Sequence, residues 1–135
     1  MKKGIDLSTI DTIKKSNEGF DVRIYHPGTN EDLDIIIRVL GKDSDEYQKV
    51  SRAHSKKRMA KLSKSGFRSN TSIPLEEVEQ DGLLLLAACT KSWSGVVIDG
   101  TELICSADNA LMVYERFPWI KEQIDSAIGD RANFI

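Results

Sequence analysis

The longest uninterrupted apolar run of this 135-residue chain, residues 83–89, constrains the fold more than any other feature. It is far shorter than the roughly 18 residues that a membrane-spanning helix needs. It follows Pro74, Glu76 and Glu77, which are typical of a helix start. A helix that is apolar on every side has to be buried. We therefore predict a helix from Pro74 to about residue 91 at the centre of one core, where replacing a buried leucine by alanine costs about 2 to 5 kcal/mol.

The composition is that of a soluble globular protein, with 40% apolar and 30% charged residues. No internal repeat or low-complexity tract divides the sequence, so we expect a single domain over residues 1–135. The formal net charge of −2 gives no global attraction to nucleic acid or to anionic lipid.

The N-terminus and the cysteines bear on the compartment. Asp6 and Asp11 interrupt any apolar stretch behind the basic N-terminus, so we expect no signal peptide and no transmembrane helix. Cys89 and Cys105 lie in apolar surroundings, and a reducing compartment would keep both as thiols. These features predict an intracellular protein without a disulfide.

The first third of the chain predicts a short helix and a hairpin. Asp6 can cap an N-terminal helix within residues 1–18, which is marginal alone and is expected to dock or fray. Residues 20–25 alternate apolar and polar, and residues 33–40 are rich in β-branched side chains, as strands are. Between them, Gly28 can supply the positive φ of a turn.

The remaining elements follow from capping and turn signals. Asp43, with Glu46 three residues later, predicts a capping box and a helix that runs to about residue 64. Residues 96–104 predict a second hairpin. Ser106 predicts another helix start, and Pro118 either kinks that helix or begins a new one.

The chain would then end in a C-terminal tail over residues 129–135. The predicted fold is α+β and mostly helical, with one or two small β-hairpins packed on a central buried helix.

Recognisable catalytic motifs are missing from the sequence, which has no phosphate-binding glycine loop, no nucleophile elbow and no H-E-x-x-H. His26 and His54 each lack a second metal ligand at close spacing. Carboxylate pairs such as Asp32 with Asp34 are typical of solvated surfaces. We therefore expect no catalytic residue, no metal and no cofactor.

Residues 49–68 are the most unusual local feature, with eight Lys and Arg and no acid, which leaves −10 for the rest of the chain. Three interpretations remain open: a solvated helix end, a cationic surface for an acidic protein partner, and a nucleic-acid contact. The nucleic-acid interpretation has only Phe67 for stacking and fits no RRM, KH or zinc-finger pattern.

The two tryptophans differ in what surrounds them. Trp93 follows the apolar helix and is expected to anchor the core. Trp119 follows Pro118 at a helix start, where either packing or a partner contact suits it.

Seven segments occur in a distinctive order along the chain. They are Phe20-Asp21-Val22, Ile35-Ile36-Ile37-Arg38-Val39, Gly41-Lys42-Asp43-Ser44 before a Lys-rich helix, and residues 86–95, 106–114, 118–124 and 130–134. In order and spacing, over nearly the whole chain, they resemble the tail assembly chaperones of long-tailed, lambda-like bacteriophages (siphophages).

This resemblance implies a non-enzymatic protein that binds the tape measure protein, keeps it soluble and extended, and helps recruit tail tube subunits. It implies a protein of the host cell cytoplasm that is absent from the mature virion, and it allows self-association of several copies along the client. The alternative is a small nucleic-acid-associated regulator that uses the basic helix of residues 49–68.

A chaperone of this kind needs apolar contact area beside charged residues that keep the assembly soluble. We therefore hypothesise that the client contacts the far half of the basic helix together with one aromatic side chain and the C-terminal tail. These residues are Lys56, Lys57, Arg58, Lys61, Lys64, Trp119, Phe134 and Ile135.

Overall fold

The structure, a computed structural model, describes residues 4–65 and 73–135. In chain order its helices and strands are α1 (Thr12–Glu18), β1 (Phe20–Tyr25), β2 (Asp32–Val39), α2 (Asp45–Ser65), α3 (Leu75–Ala88), β3 (Thr90–Ser94), β4 (Val97–Ile98), β5 (Thr101–Glu102), α4 (Ala107–Arg116) and α5 (Pro118–Gly129). Single 3-10 turns lie at Leu7–Thr9 and Arg131–Phe134. Five helices and two small antiparallel sheets over the described ranges confirm the α+β, mostly helical fold.

The predicted first hairpin is confirmed. β1 pairs antiparallel with β2, and Val22 lies opposite Ile37 near the centre of the ladder. In the connecting turn, the His26 Nδ1 atom accepts a hydrogen bond from the backbone N–H of Gly28 at 3.0 Å. Asn30, and not Gly28, has the positive φ, at 61°. His26 therefore has a structural role in the turn.

β3 is a strand that the sequence analysis did not predict. The predicted helix runs to residue 91, but α3 ends at Ala88, and β3 pairs antiparallel with β2 as the third strand of the larger sheet. The Trp93 indole N–H donates to the carbonyl oxygen of Leu103 at 2.7 Å, and its ring packs against the core as predicted. A polar five-residue strand gives little signal of its own, because pairing with β2 is what makes it extended.

The second half of α3 supplies core residues, but its predicted burial on every side is wrong. Leu86 and Ala87 are buried, as is Cys89 just beyond the helix, whereas Gly82 and Leu84 are exposed. α3 contacts α4, α2 and α5, and these neighbours leave one side of the helix open to solvent.

One hydrophobic cluster joins the sheet to α3, α4 and α5. Its most deeply buried members come from strands, helices and the C-terminal turn. They include Ile24, Ile37, Val39, Cys89, Ala110, Val113, Tyr114, Ile124, Ile128 and Phe134. The elements around this core are therefore held by packing, whereas none of the described side chains in the far half of α2 belongs to it.

The residue predicted to cap the start of α2 is wrong. Ser44, and not Asp43, accepts from the helix start, through a hydrogen bond from the Tyr47 N–H to the Ser44 hydroxyl at 3.2 Å. Ser106 caps α4 as predicted, and Pro118 begins α5 rather than kinking α4.

Asp43 instead joins three separate parts of the chain. Its carboxylate accepts two hydrogen bonds from the Arg131 guanidinium, at 2.7 and 2.9 Å, and one from the Thr12 hydroxyl at 2.8 Å. These bonds tie α1 and the C-terminal 3-10 turn to the residues just before α2.

Backbone contacts complete the docking of α1 and of the C-terminal segment. The Gly41 N–H donates to the Ser16 carbonyl oxygen at 3.1 Å, and a β-carbon at Gly41 would collide with the Ser16 hydroxyl. Phe134 is 2% exposed and packs edge to face on Phe20, with ring centroids 6.0 Å apart. The predicted C-terminal tail is thus a docked turn anchored by Phe134, and Ile135 at its end is exposed.

We predict that Asp43 stabilises the protein in a pH-dependent way. The Arg131 hydrogen bonds, and secondarily the Thr12 bond, lower the pKa of Asp43 from 3.8 to about 2. A carboxyl with a lowered folded-state pKa stabilises the fold above its unfolded pKa and loses that effect as the pH falls through the folded value. Asp43→Asn should reduce the free energy of unfolding by about 1 kcal/mol at pH 7, since solvent screens the half-exposed guanidinium.

The measurement is urea denaturation of both proteins between pH 7 and pH 2. The difference should be constant down to about pH 5 and then shrink progressively as the pH falls through 3.8 and about 2. Asp125→Asn, at an exposed carboxylate without an ion pair in the described chain, is the matched control and should have little effect. A difference for Asp43→Asn that persists unchanged to pH 2 would contradict this role.

Candidate protein-binding surface

The structure separates the eight hypothesised contact residues. Lys56, Lys57, Arg58 and Lys61 lie on α2, and the side chain of Lys64 is outside the described residues. Trp119 is half-buried at the start of α5, with its ring 6.2 Å from that of Phe117. Phe134 is buried, so its assignment as a contact residue is wrong, while Ile135 is exposed. No single surface contains all of them.

The far half of α2 is engaged by α3. Arg58 Nη2 lies 3.0 Å from Asp81 Oδ2, and Lys61 Nζ lies 2.6 Å from Glu77 Oε1. Lys57 is 3.8 Å from the same Glu77 oxygen. The carboxylate side chains are only 5% and 17% exposed. We call this set, together with His54 at 3.8 Å from Asp81, the α2–α3 clasp.

The clasp explains how a helix with so few apolar residues packs on the rest of the molecule. Glu77 and Asp81 are four residues apart and so share one face of α3. The clasp residues of α2 recur at three- and four-residue steps and share a face in the same way. The repeated spacing of the charges is visible in each of the two sequence segments. The pairing of one row with the other is not visible, because only the folded chain brings the two rows together.

A groove of about 560 Å³ lies on the other side of α2, where Ile13 of α1 lines it from the opposite wall. At 100° per residue, its α2 lining residues centre on the side opposite the clasp. The lining residues are Ile13, Asp43, Asp45, Gln48, Lys49, Arg52, Ala53 and Lys56. We call this the α1–α2 groove.

The cations of the groove are available to a ligand. Lys49, Arg52 and Lys56 are exposed, and none of them forms an ion pair with a residue that the structure describes. The groove acids are already occupied, since Asp43 binds Arg131 and Asp45 accepts a hydrogen bond from the Asn17 amide at 3.3 Å. Lys56 is among the contact residues hypothesised from the sequence, and Lys49 and Arg52 are not.

The N-terminal segment leads into the groove with exposed aliphatic side chains. Ile5, Leu7, Ile10 and Ile13 are 66%, 77%, 45% and 56% exposed, and Ile13 lines the groove. We call these four residues the N-terminal aliphatic strip. The segment docks through Thr12 and Ser16, and these four aliphatic side chains remain exposed to solvent.

The described residues have little arranged for chemistry. Burial raises the pKa of the Cys89 thiol to about 12, so the thiol is protonated at neutral pH. Cys89 and Cys105 are both free thiols. Within the described ranges, no three His, Cys, Asp or Glu side chains are placed to hold a metal ion. Among the helices described, none combines the length and apolar character that crossing a membrane requires.

Comparison with known proteins gives no relative: no protein-family model, curated protein or solved structure matches this chain. The surface chemistry and the order of the sequence segments are therefore what bear on its function.

We predict that the Arg58–Asp81 pair is required to hold α2 on α3. Asp81→Asn should lower the free energy of unfolding by about 3 kcal/mol, because it leaves a partly buried guanidinium without its counter-charge. Glu79→Gln, at an exposed carboxylate on the same helix, should change it by less than about 0.5 kcal/mol.

Urea denaturation followed by circular dichroism measures both effects. The double variant Arg58→Met/Asp81→Leu should recover most of the loss, because an apolar pair of similar volume can replace a buried ion pair. Equal losses in the single and the double variant would show that charge pairing at this contact is not what matters.

Proposed function

We propose that this chain is a non-enzymatic assembly chaperone that binds a long helical protein and keeps it soluble. The role is that of the phage tail assembly chaperones whose segment order its sequence resembles. The client is then the tape measure protein, around which tail tube subunits are recruited. The chaperone acts in the host cell cytoplasm and is left out of the mature virion.

The observation that carries this proposal is the N-terminal aliphatic strip beside the α1–α2 groove. Four exposed aliphatic side chains lie within nine residues of the sequence, and the last of them, Ile13, lines the groove together with three unpaired cations. Exposed apolar side chains grouped in this way favour a protein-binding surface. Amphipathic helices bind through an apolar stripe with flanking charges, and this surface offers a complement to both.

The geometry also suits a contact that must later be released. The strip and the groove cations lie at the surface, where water screens ion pairs and each contact is weak. Several copies on one long client would gain avidity without any single contact being strong. Tube subunits could then displace the copies one after another.

The alternative role as a nucleic-acid-associated regulator draws on the same unpaired row of Lys49, Arg52 and Lys56. Three other α2 cations are engaged by the clasp carboxylates, which reduces what the helix offers to phosphates. Three phosphate contacts would give log affinity a slope of about −2.7 against log salt on duplex DNA.

The experiment is a pull-down of the tagged full chain from cells that express the neighbouring genes, with nuclease treatment and mass spectrometry. We expect recovery of a very long helical protein, with or without a tail tube protein. Leu7→Ser/Ile10→Ser should reduce that recovery several-fold without changing the melting temperature, because both side chains are exposed.

Ile104→Ser is the matched control, since Ile104 is 80% exposed and follows β5, away from the strip in the sequence. It should leave the recovery unchanged. Recovery of nucleic acid alone, lost on nuclease treatment, would support the regulator instead. Full recovery of the client by the Leu7→Ser/Ile10→Ser variant would remove the strip as its contact.

A further inference from the structure

We propose that the α1–α2 groove binds an acidic amphipathic helix of the client, seated against α2 as α3 is seated against its other side. That the helix belongs to a chaperone client rests on the proposed function. The binding chemistry itself rests on three features of the described structure, which are the clasp, the unpaired cation row and the shape of the groove.

The clasp provides the internal precedent. On that side of α2, an acidic helix is held by carboxylates four residues apart that meet cations three and four residues apart. The first half of α3 carries two further acids, Glu76 and Glu79. α2 is therefore a helix whose surface accepts an acidic helix alongside it.

The opposite side repeats the cation pattern, and the two acids that line the groove with it, Asp43 and Asp45, form no ion pair with its cations. Lys49, Arg52 and Lys56 lie at i, i+3 and i+7, so they form one row about 10 Å long. No described residue neutralises this row. A helix with Asp or Glu at matching three- and four-residue steps would supply the missing charges.

The groove has the apolar floor that such a helix needs. Ala53 lies between Lys49 and Lys56, and its small side chain permits the close approach of another backbone. Ile13 faces the groove from α1 and is more than half exposed. An aliphatic stripe on the client helix would cover both side chains and continue onto the N-terminal aliphatic strip.

The same groove disfavours a nucleic acid. Asp45 lines the groove with the cations and has no cationic partner among the described residues, so it would repel a continuous phosphate backbone, whereas the charge of Asp43 is paired with Arg131. None of its lining residues is aromatic, so a base finds no stacking partner there. A client helix avoids this repulsion if its acidic residues are confined to the segment that faces Lys49, Arg52 and Lys56.

The test is fluorescence anisotropy with the full chain and a labelled synthetic peptide of about 20 residues. The peptide is a helix with a Leu stripe and Glu at three- and four-residue steps. A second peptide has Lys in place of every Glu, and a labelled single-stranded DNA is included. We expect the acidic peptide to bind, and the basic peptide to bind at least about ten-fold more weakly.

Charge-reversed variants locate the site. Lys49→Glu/Lys56→Glu should weaken binding of the acidic peptide by about ten-fold or more and should gain affinity for the basic peptide. Lys91→Glu/Lys121→Glu makes the same change in net charge on other elements and should bind the acidic peptide within about two-fold of the wild type. Unchanged binding by the groove variant, or an equal loss in both variants, would overturn the proposal.

A third variant separates shape from charge. Ala53→Arg adds a cation but fills the floor of the groove, so a seated helix should be blocked while diffuse attraction to the acidic peptide should increase. Since Ala53 is exposed, the substitution should not prevent folding, which melting curves for all variants will check. Tighter binding of the acidic peptide by Ala53→Arg would overturn the proposal. So would binding of the DNA that competes with the peptide and is lost in Lys49→Glu/Lys56→Glu.

These outcomes are distinct from failure of the proposed function. Specific peptide binding in the groove, without a tape measure protein in the pull-down, supports the inference and removes the phage role. A pull-down that recovers the client equally well with Lys49→Glu/Lys56→Glu supports the function and overturns the groove as its site.

Discussion

The Asp43 carboxylate is the contact on which the geometry of the binding surface depends. It accepts hydrogen bonds from Thr12 at the start of α1 and from Arg131 in the C-terminal turn, and it lies directly before α2. The backbone contact between Gly41 and Ser16 and two hydrogen bonds between Asn17 and Asp45 also join α1 to α2, but among the described hydrogen bonds only those of Asp43 link both of them to the C-terminal turn. These contacts give a marginal seven-residue helix a fixed position, which its own propensity could not provide.

α2 is held to the molecule by charge because its sequence offers little else. Its first turns contact the body through Tyr47, whereas its far half depends on the carboxylates of Glu77 and Asp81. A helix held in this way carries cations on two opposite sides. One side is neutralised within the chain, and the opposite side leaves the same chemistry exposed.

Elements with local signals could be predicted from the sequence, and elements made by distant pairing could not. The first hairpin follows from alternation, and α4 from its Ser106 cap, because neighbours in sequence decide both. β3 needs β2 beside it, and Asp43 meets an arginine 88 residues away, so neither is visible locally. The basic row of α2 was evident in the sequence, but its division into a paired and an unpaired side depends on where α3 packs.

Burial explains why the contact between α2 and α3 is permanent, whereas a contact in the α1–α2 groove can be reversible. The clasp carboxylates of Glu77 and Asp81 are largely shielded from solvent, so added salt weakens their attraction to α2 only modestly. Lys49, Arg52 and Lys56 are exposed, and at physiological ionic strength screening acts over about 8 Å. A helix bound in the groove would therefore be released by conditions or competitors that leave α3 in place. The proposed carrier role requires that separation, which follows from the shielded carboxylates on one side of α2 and the exposed cations on the other.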